Sequence, residues 1–212
     1  MTYLHVFDMD GTLLVGSACI EISRYLGFLD EAHAIQDEWI RGELSDNEYW
    51  ERCLPLWDGI TEEQIDKAFA ATQWLDGIET VFNDIQSRNE HSIVISQSPK
   101  FFVERLYAWG LGTAFGAEVT PGNPDGAEQM VSSEDKLKIT RDQLRELDLD
   151  DDNCVVYGDS NSDLALFEHL THTVAVNANE QIRNLATLTY DGSDLWAAYS
   201  AARELIEKNP GI

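Results

Sequence analysis

A chain of 212 residues, 43% hydrophobic and 10% aromatic, suffices for a core domain with a modest second one and is too apolar to be disordered. Its 39 Asp and Glu face only 14 Lys and Arg, and the formal charge of −25 argues against a nucleic-acid or membrane-surface binder. An anionic substrate would need a metal or a few positive groups to overcome that field locally.

Tyr3–Phe7 reads as a short buried strand running into Asp8-Met9-Asp10-Gly11-Thr12-Leu13, where Gly11 marks a turn. From Ser17 to about Gln73 apolar residues recur at helical spacing, with Ile22, Tyr25, Leu26 and Leu29 as one example. Ser45 with Glu48, and Thr61 with Gln64, have capping-box spacing, so four helices are expected here as an insertion. Strand and helix then alternate. Residues 78–87 read as a helix and 91–96 as a strand, with Ser98-Pro99 opening a helix to Trp109. Short strands are expected at 115–119 and 129–131, around a turn region at 121–126. A helix over 134–147, an acidic connector and the strand Cys154–Tyr157 follow. Asn161 or Ser162 is expected to cap a helix through Phe167, before a strand at 173–176 and a closing helix at 193–207. This order implies a parallel sheet covered by helices.

Cys19, Cys53 and Cys154 form neither a CxxC pair nor an even set, and free buried thiols are expected. No apolar run reaches the ~18 residues of a membrane span. No signal peptide is read either, so a soluble cytoplasmic protein is expected. His5, inside the first strand, reads as a core residue, and His169 and His172 lack metal-binding company.

Three strands end in reactive residues: Asp8 and Asp10, Ser96, and Asp159 with Asp163. Lys136 begins the helix before the last of them. In a doubly wound sheet the C-terminal strand ends meet at one crevice. Carboxylates gathered there repel one another unless a hard cation joins them, and oxygen ligands without His or Cys point to Mg²⁺.

With those residues the chain resembles the haloacid dehalogenase (HAD) superfamily of hydrolases, in its phosphoserine-phosphatase-like branch with a helical type-1 cap. Asp8-Met9-Asp10-Gly11-Thr12-Leu13 is similar to the first motif of that family. Ser96 matches the second, Lys136 the third, and Gly158-Asp159-Ser160-Asn161-Ser162-Asp163 the fourth. The resemblance implies a HAD-like Rossmannoid α/β fold, with residues 1–15 and 75–212 as the core and 16–74 as an all-helical cap. It implies Asp8 as nucleophile and Asp10 as general acid, then base. Mg²⁺ would be held by the Asp8 carboxylate, the Asp10 main-chain carbonyl and Asp159. Ser96 and Lys136 would bind phosphoryl oxygens, with Asp163 and Asn161 supporting. Lys138, two residues past Lys136, is the other candidate for the lysine. Lys136 is preferred because Ser133-Glu134-Asp135 reads as a helix start.

The expected activity is a Mg²⁺-dependent phosphomonoesterase using an aspartyl-phosphate on a small phosphorylated metabolite. Phosphoserine phosphatases carry a Glu where this chain has Ser17, and a cap Arg where it has Cys53, with Arg52 adjacent. Gln97 and Ser98 stand where they usually have glycines. Those departures, with Trp39, Tyr49, Trp50 and Trp57 in the cap, suggest a sugar or cyclitol phosphate. Substrate-binding candidates are Gln97, Ser98, Arg52, Ser17 and Arg24. The alternatives are a phosphoserine phosphatase, a phosphotransferase or phosphomutase of the same fold, and a HAD-fold binding protein with little turnover. Oligomeric state is not readable.

Overall fold

The computed structural model describes residues 2–126 and 130–208. Its centre is strand β1 (Leu4–Phe7), buried at all four positions, as a strand covered on both faces must be. Beside it lie β2 (His91–Pro99) and β4 (Cys154–Gly158), and β3 (Thr113–Ala117), β5 (His172–Val176) and β6 (Leu188–Tyr190) extend the sheet. The order is β3-β2-β1-β4-β5-β6, and every pairing is parallel. This is the doubly wound order whose direction reverses between β1 and β4, so a crevice opens beyond their carboxyl ends.

Alternation along the strands separates two apolar layers. Phe7, Val94, Tyr157 and Val174 pack with residues of α5 (Ile78–Ser87) and α10 (Leu195–Lys208). Val6, Ile95, Val156 and Ala175 pack on the other side with residues of α7 (Ser133–Glu146), α8 (Leu164–His169) and α9 (Glu180–Leu185).

Between β1 and α5 lies the helical cap: α1 (Ala18–Leu26), α2 (Leu29–Ile40), α3 (Asp46–Cys53), a 3₁₀ turn at Leu54–Trp57, and α4 (Glu62–Ala71). Both expected capping boxes form, Ser45 with Glu48 and Thr61 with Gln64. Trp50 and Trp57 are wholly buried among these helices, and the Trp57 indole donates to Ser23 Oγ at 2.8 Å. All three cysteines are free and buried.

Several local expectations need correction. The segment after Ser96 does not turn into a helix at Ser98: β2 continues to Pro99, which pairs with Ala117. Only one α-turn follows, α6 (Lys100–Val103), before a 3₁₀ stretch over Glu104–Trp109. The third strand lies two residues earlier than expected, because Thr113 takes its register from Ile93 of β2. Met130 and Val131 are not in a strand, and Gln129 lies outside the described residues. Ser160, with Asp163, caps the turn before α8 in place of Asn161 or Ser162. β6 and α9 were not expected. No helix among the described residues is long and apolar enough to cross a membrane.

Candidate active site

The site begins where β1 stops. The Asp8 N–H continues the sheet by donating to the Tyr157 carbonyl at 2.9 Å, and the wholly buried Met9 anchors the next residue. Its carbonyl accepts from the N–H groups of Leu13 at 2.8 Å and Leu14 at 3.1 Å, folding the chain into a tight turn. Gly11 in that turn has φ +79°, and a Cβ there would fall 2.3 Å from Asp159 Oδ2. Glycine therefore lets the β4 carboxylate lie against the β1 turn.

Lys136 reaches this place from the second turn of α7, which starts at the Ser132–Asp135 capping box. Its ammonium lies 2.8 Å from Asp8 Oδ1, 2.8 Å from Asp163 Oδ1 and 3.1 Å from Ser162 Oγ, and its side chain is 1% exposed. Lys138 on the same helix is exposed. Asp163 uses its second oxygen to accept from the Asp159 N–H at 3.1 Å, which ties the loop after β4 to the lysine.

Asp8, Asp159 and Asp163 each bring a carboxylate oxygen within 4.8 Å of the others. Three carboxylates thus share one ammonium. Burial, and then the neighbouring charge of Asp8, pushes Asp159 up to about 9 and Asp163 up to about 6. Burial also raises Asp8, against the pull of Lys136. For Lys136, burial works against the charge, but Asp163 and Asp8 outweigh it and hold the ammonium above its ordinary range. An all-oxygen, negatively overcharged set fits a hard divalent cation, which would lift the mutual repulsion.

Asp10 stands apart from that cluster. Its Oδ1 accepts from the Ala18 N–H at 3.0 Å and its Oδ2 from the Ser98 hydroxyl at 2.5 Å. Burial raises its pKa, partly offset by those two donors. Ser96 is wholly buried, and its Oγ accepts from the Ser98 N–H at 3.0 Å, which leaves the hydroxyl proton free to donate elsewhere.

Above these residues is a cavity of about 570 Å³ between strand ends and cap. Asp10 and Asp159 form part of its floor, and Trp39, Tyr49 and Trp50 line the cap side. Ser17 caps α1 and donates to Gln36 Oε1 at 2.9 Å; Gln97 donates to the Val131 carbonyl at 3.1 Å; Asn161 accepts from Asn179 at 3.1 Å. Of these residues all but Val131 border the cavity, together with Ser98. Arg24 and Arg52 do not: they are exposed on the cap exterior, paired with Glu21 and Glu38. Surface pairing with abundant acid, available in so negative a chain, takes them out of the cavity wall. Gln36, Asn179 and Ser162 were not singled out from the sequence. Ser162 lay within the acidic motif and was readable there, whereas Gln36 and Asn179 carry no signal until the cap is seen over the sheet.

A buried lysine and an acidic cluster at the β1/β4 switch point, beneath a helical cap, define a capped, doubly wound α/β protein with a hydrolase-type site. The chain belongs to the haloacid dehalogenase-like hydrolases, whose family model matches residues 5–168. Its cap and core share their fold with solved phosphoserine phosphatases. A phosphoserine phosphatase from Archaeoglobus fulgidus is 26% identical over 90% of this chain, which spans 56% of that relative's length. One from Idiomarina loihiensis is 23% identical, with 96% of both chains covered. A solved substrate-bound phosphoserine phosphatase complex superposes with a TM-score of 0.78 at 21% identity, covering 95% of this chain and 98% of the other. A phospho-aspartyl intermediate analogue of phosphoserine phosphatase gives 0.78 at 21% identity, covering 94% and 98%.

Proposed function

We propose that this protein is a Mg²⁺-dependent phosphomonoesterase that works through an aspartyl-phosphate on Asp8. The observation that carries this reading is the division of labour between two acids two residues apart. Asp8 lies in the lysine–carboxylate cluster, while Asp10 is held outside it by Ala18 and Ser98. A carboxylate oxygen of Asp8 attacks phosphorus, and the bond to the ester oxygen breaks. Asp10, whose burial favours its protonated form, gives that oxygen its proton. Asp10 then takes a proton from water as the water attacks phosphorus, which frees phosphate and restores Asp8. The Lys136 ammonium and the Ser96 hydroxyl face the charge on the phosphoryl oxygens. Asp8, Asp159 and the Asp10 main-chain carbonyl would hold Mg²⁺, with Asp163 fixing Lys136 and the loop. The ion would neutralise phosphoryl charge that so acidic a protein otherwise repels.

For the substrate, the relatives support phosphoserine better than the sugar or cyclitol phosphate suggested by the cap aromatics. One observation favours an uncharged, hydroxylated ester instead. Among the described residues no Lys, Arg or His lines the cavity, where the Ser17, Gln36, Gln97 and Asn161 side chains offer neutral donors and acceptors. We also place residues 16–74 as one cap unit, and the protein in the cytoplasm, where three free thiols persist.

Phosphate release from a panel containing phosphoserine, sugar phosphates and cyclitol phosphates, with Mg²⁺ and with EDTA, tests the reading. Mg²⁺-dependent release supports it, and the preferred ester decides the substrate. Transfer to a second metabolite without release would make the chain a phosphotransferase, and silence on every ester would count against the enzyme.

A further inference from the structure

We propose that Ser98 is a positioning residue for Asp10, holding the acid's carboxyl group in the orientation that leaves its proton for the leaving oxygen. This rests on the phosphomonoesterase reading for its catalytic meaning, and on geometry for the contact itself.

The geometry starts in the sheet. Ile95 of β2 pairs with Phe115 of β3, and the next pair is Pro99 with Ala117. Four steps on β2 therefore match two on β3, and the surplus forms a bulge. Such a bulge re-aims side chains at the end of a strand. Gly116 sits opposite it. A Cβ there would fall 2.7 Å from the Ser98 carbonyl oxygen and 2.8 Å from Lys100 Cα, so only glycine admits the bulged segment this close to β3.

The result is a serine, 2% exposed, with both of its polar ends committed to the site. Its N–H donates to Ser96 Oγ at 3.0 Å, and its hydroxyl donates to Asp10 Oδ2 at 2.5 Å. On the other side the Ala18 N–H, from the start of the cap, donates to Asp10 Oδ1 at 3.0 Å. Each carboxyl oxygen thus accepts from a fixed donor on core or cap and keeps a second lone pair. The two donors restrain rotation about the bond that carries the carboxyl group. With Ser98 removed, the Ala18 contact at the core–cap junction is what still orients the Asp10 carboxyl among the described residues. Ser98 therefore acts through Asp10 and not as a ligand of the substrate.

Three enzymes decide it: wild type, Ser98→Ala, and Ser98→Thr, which keeps the hydroxyl. Each is assayed with Mg²⁺ on the best alkyl phosphate of the panel and on p-nitrophenyl phosphate, whose leaving group departs without a proton. Ser98→Ala should lose about tenfold in kcat/KM, which reports only the steps through departure of the leaving group, on the alkyl ester, the size expected for a hydrogen bond to a carboxylate. It should lose less than about twofold on the aryl ester, and Ser98→Thr should recover most of the alkyl activity. Equal losses on both esters, or none on either, would overturn the proposal. Crystal structures of wild type and Ser98→Ala give a readout independent of turnover. The Asp10 carboxyl should rotate in the variant, and an unmoved Asp10 would also overturn it. A wild type silent on every ester would instead remove the function, while the crystals still judged the contact.

Discussion

His5 and Asp8 stand three residues apart, one inside β1 and one just past it, and each is buried among charged neighbours at opposite ends of the sheet. His5 Nε2 lies 3.1 Å from Glu90 Oε2, which also accepts from Arg203 at 2.6 Å, and His5 Nδ1 lies 3.2 Å from the Tyr157 hydroxyl. One carboxylate there meets a permanent cation and an imidazole. At the Asp8 end three carboxylates lie together and, among the described residues, Lys136 is the cation that pairs with them, bonding Asp8 and Asp163. The first cluster matches its carboxylate with positive charge and serves the fold. The second is short of positive charge, and a buried shortage of that kind persists where a cationic ligand makes it good.

Removing the proposed nucleophile breaks the comparison most severely. Asp8→Asn should cut turnover by at least about 10³-fold while circular dichroism shows an intact fold. Lys136→Met comes next: it strands Asp8 and Asp163, and should cost roughly 3–5 kcal/mol in denaturant unfolding as well as turnover. Without metal the Asp8 end should give stability an inverted pH slope. The folded protein keeps protons on Asp163 (about 6) and Asp159 (about 9) that the unfolded chain releases near 3.9, so stability falls as pH rises from about 4 to about 9. Mg²⁺ should flatten that fall, and at 100 times its Kd should add about 2.7 kcal/mol. A thermal-melt series across pH, with Mg²⁺ and with EDTA, reads both effects.

The His5 end should slope the other way. Burial holds His5 below its ordinary pKa; burial also pushes Glu90 up, but its contacts with His5 and Arg203 outweigh that and hold it below its own. The unfolded chain therefore takes up protons first, and this contribution is lost as pH falls below about 6.5. Glu90→Gln takes away the carboxylate that supports the His5 charge, so it should deepen the loss below about 6.5, cost about 1–3 kcal/mol, and leave turnover unchanged. The smallest effect belongs to Arg52→Ala, which removes only an exposed pair with Glu38. It should leave both stability and KM unchanged. A marked rise in KM would put that arginine back into substrate binding.

The two ends were unequally readable beforehand. Asp8, Asp10, Asp159 and Asp163 sit in short local patterns immediately after apolar strands, so their convergence followed from parallel topology alone. Lys136 was chosen over Lys138 from a helix start, and the Ser132 cap fixes the phase that buries one lysine and exposes the other. The bulge was not readable, since the extension of β2 to Pro99 depends on β3 and Gly116 beside it, and Ser98-Pro99 alone has the look of a helix start. β6, with three residues at an edge, and α9, with six, are too short to show a period. Gln36 reaches the cavity only because α2 lies over the strand ends, which no spacing in the sequence encodes.

The cap enters and leaves the core through two segments that lie side by side. Val15 N–H donates to the Gln73 carbonyl and Leu75 N–H to the Leu13 carbonyl, both at 2.9 Å, and Leu14 bridges Trp74 antiparallel. An insertion whose ends are already joined by hydrogen bonds asks nothing of the sheet beyond one attachment point. Recombination can therefore trade the whole segment for that of a cousin, altering what is admitted while the machinery beneath stays in register. In a lineage built this way, the history of specificity and the history of chemistry can be inherited separately.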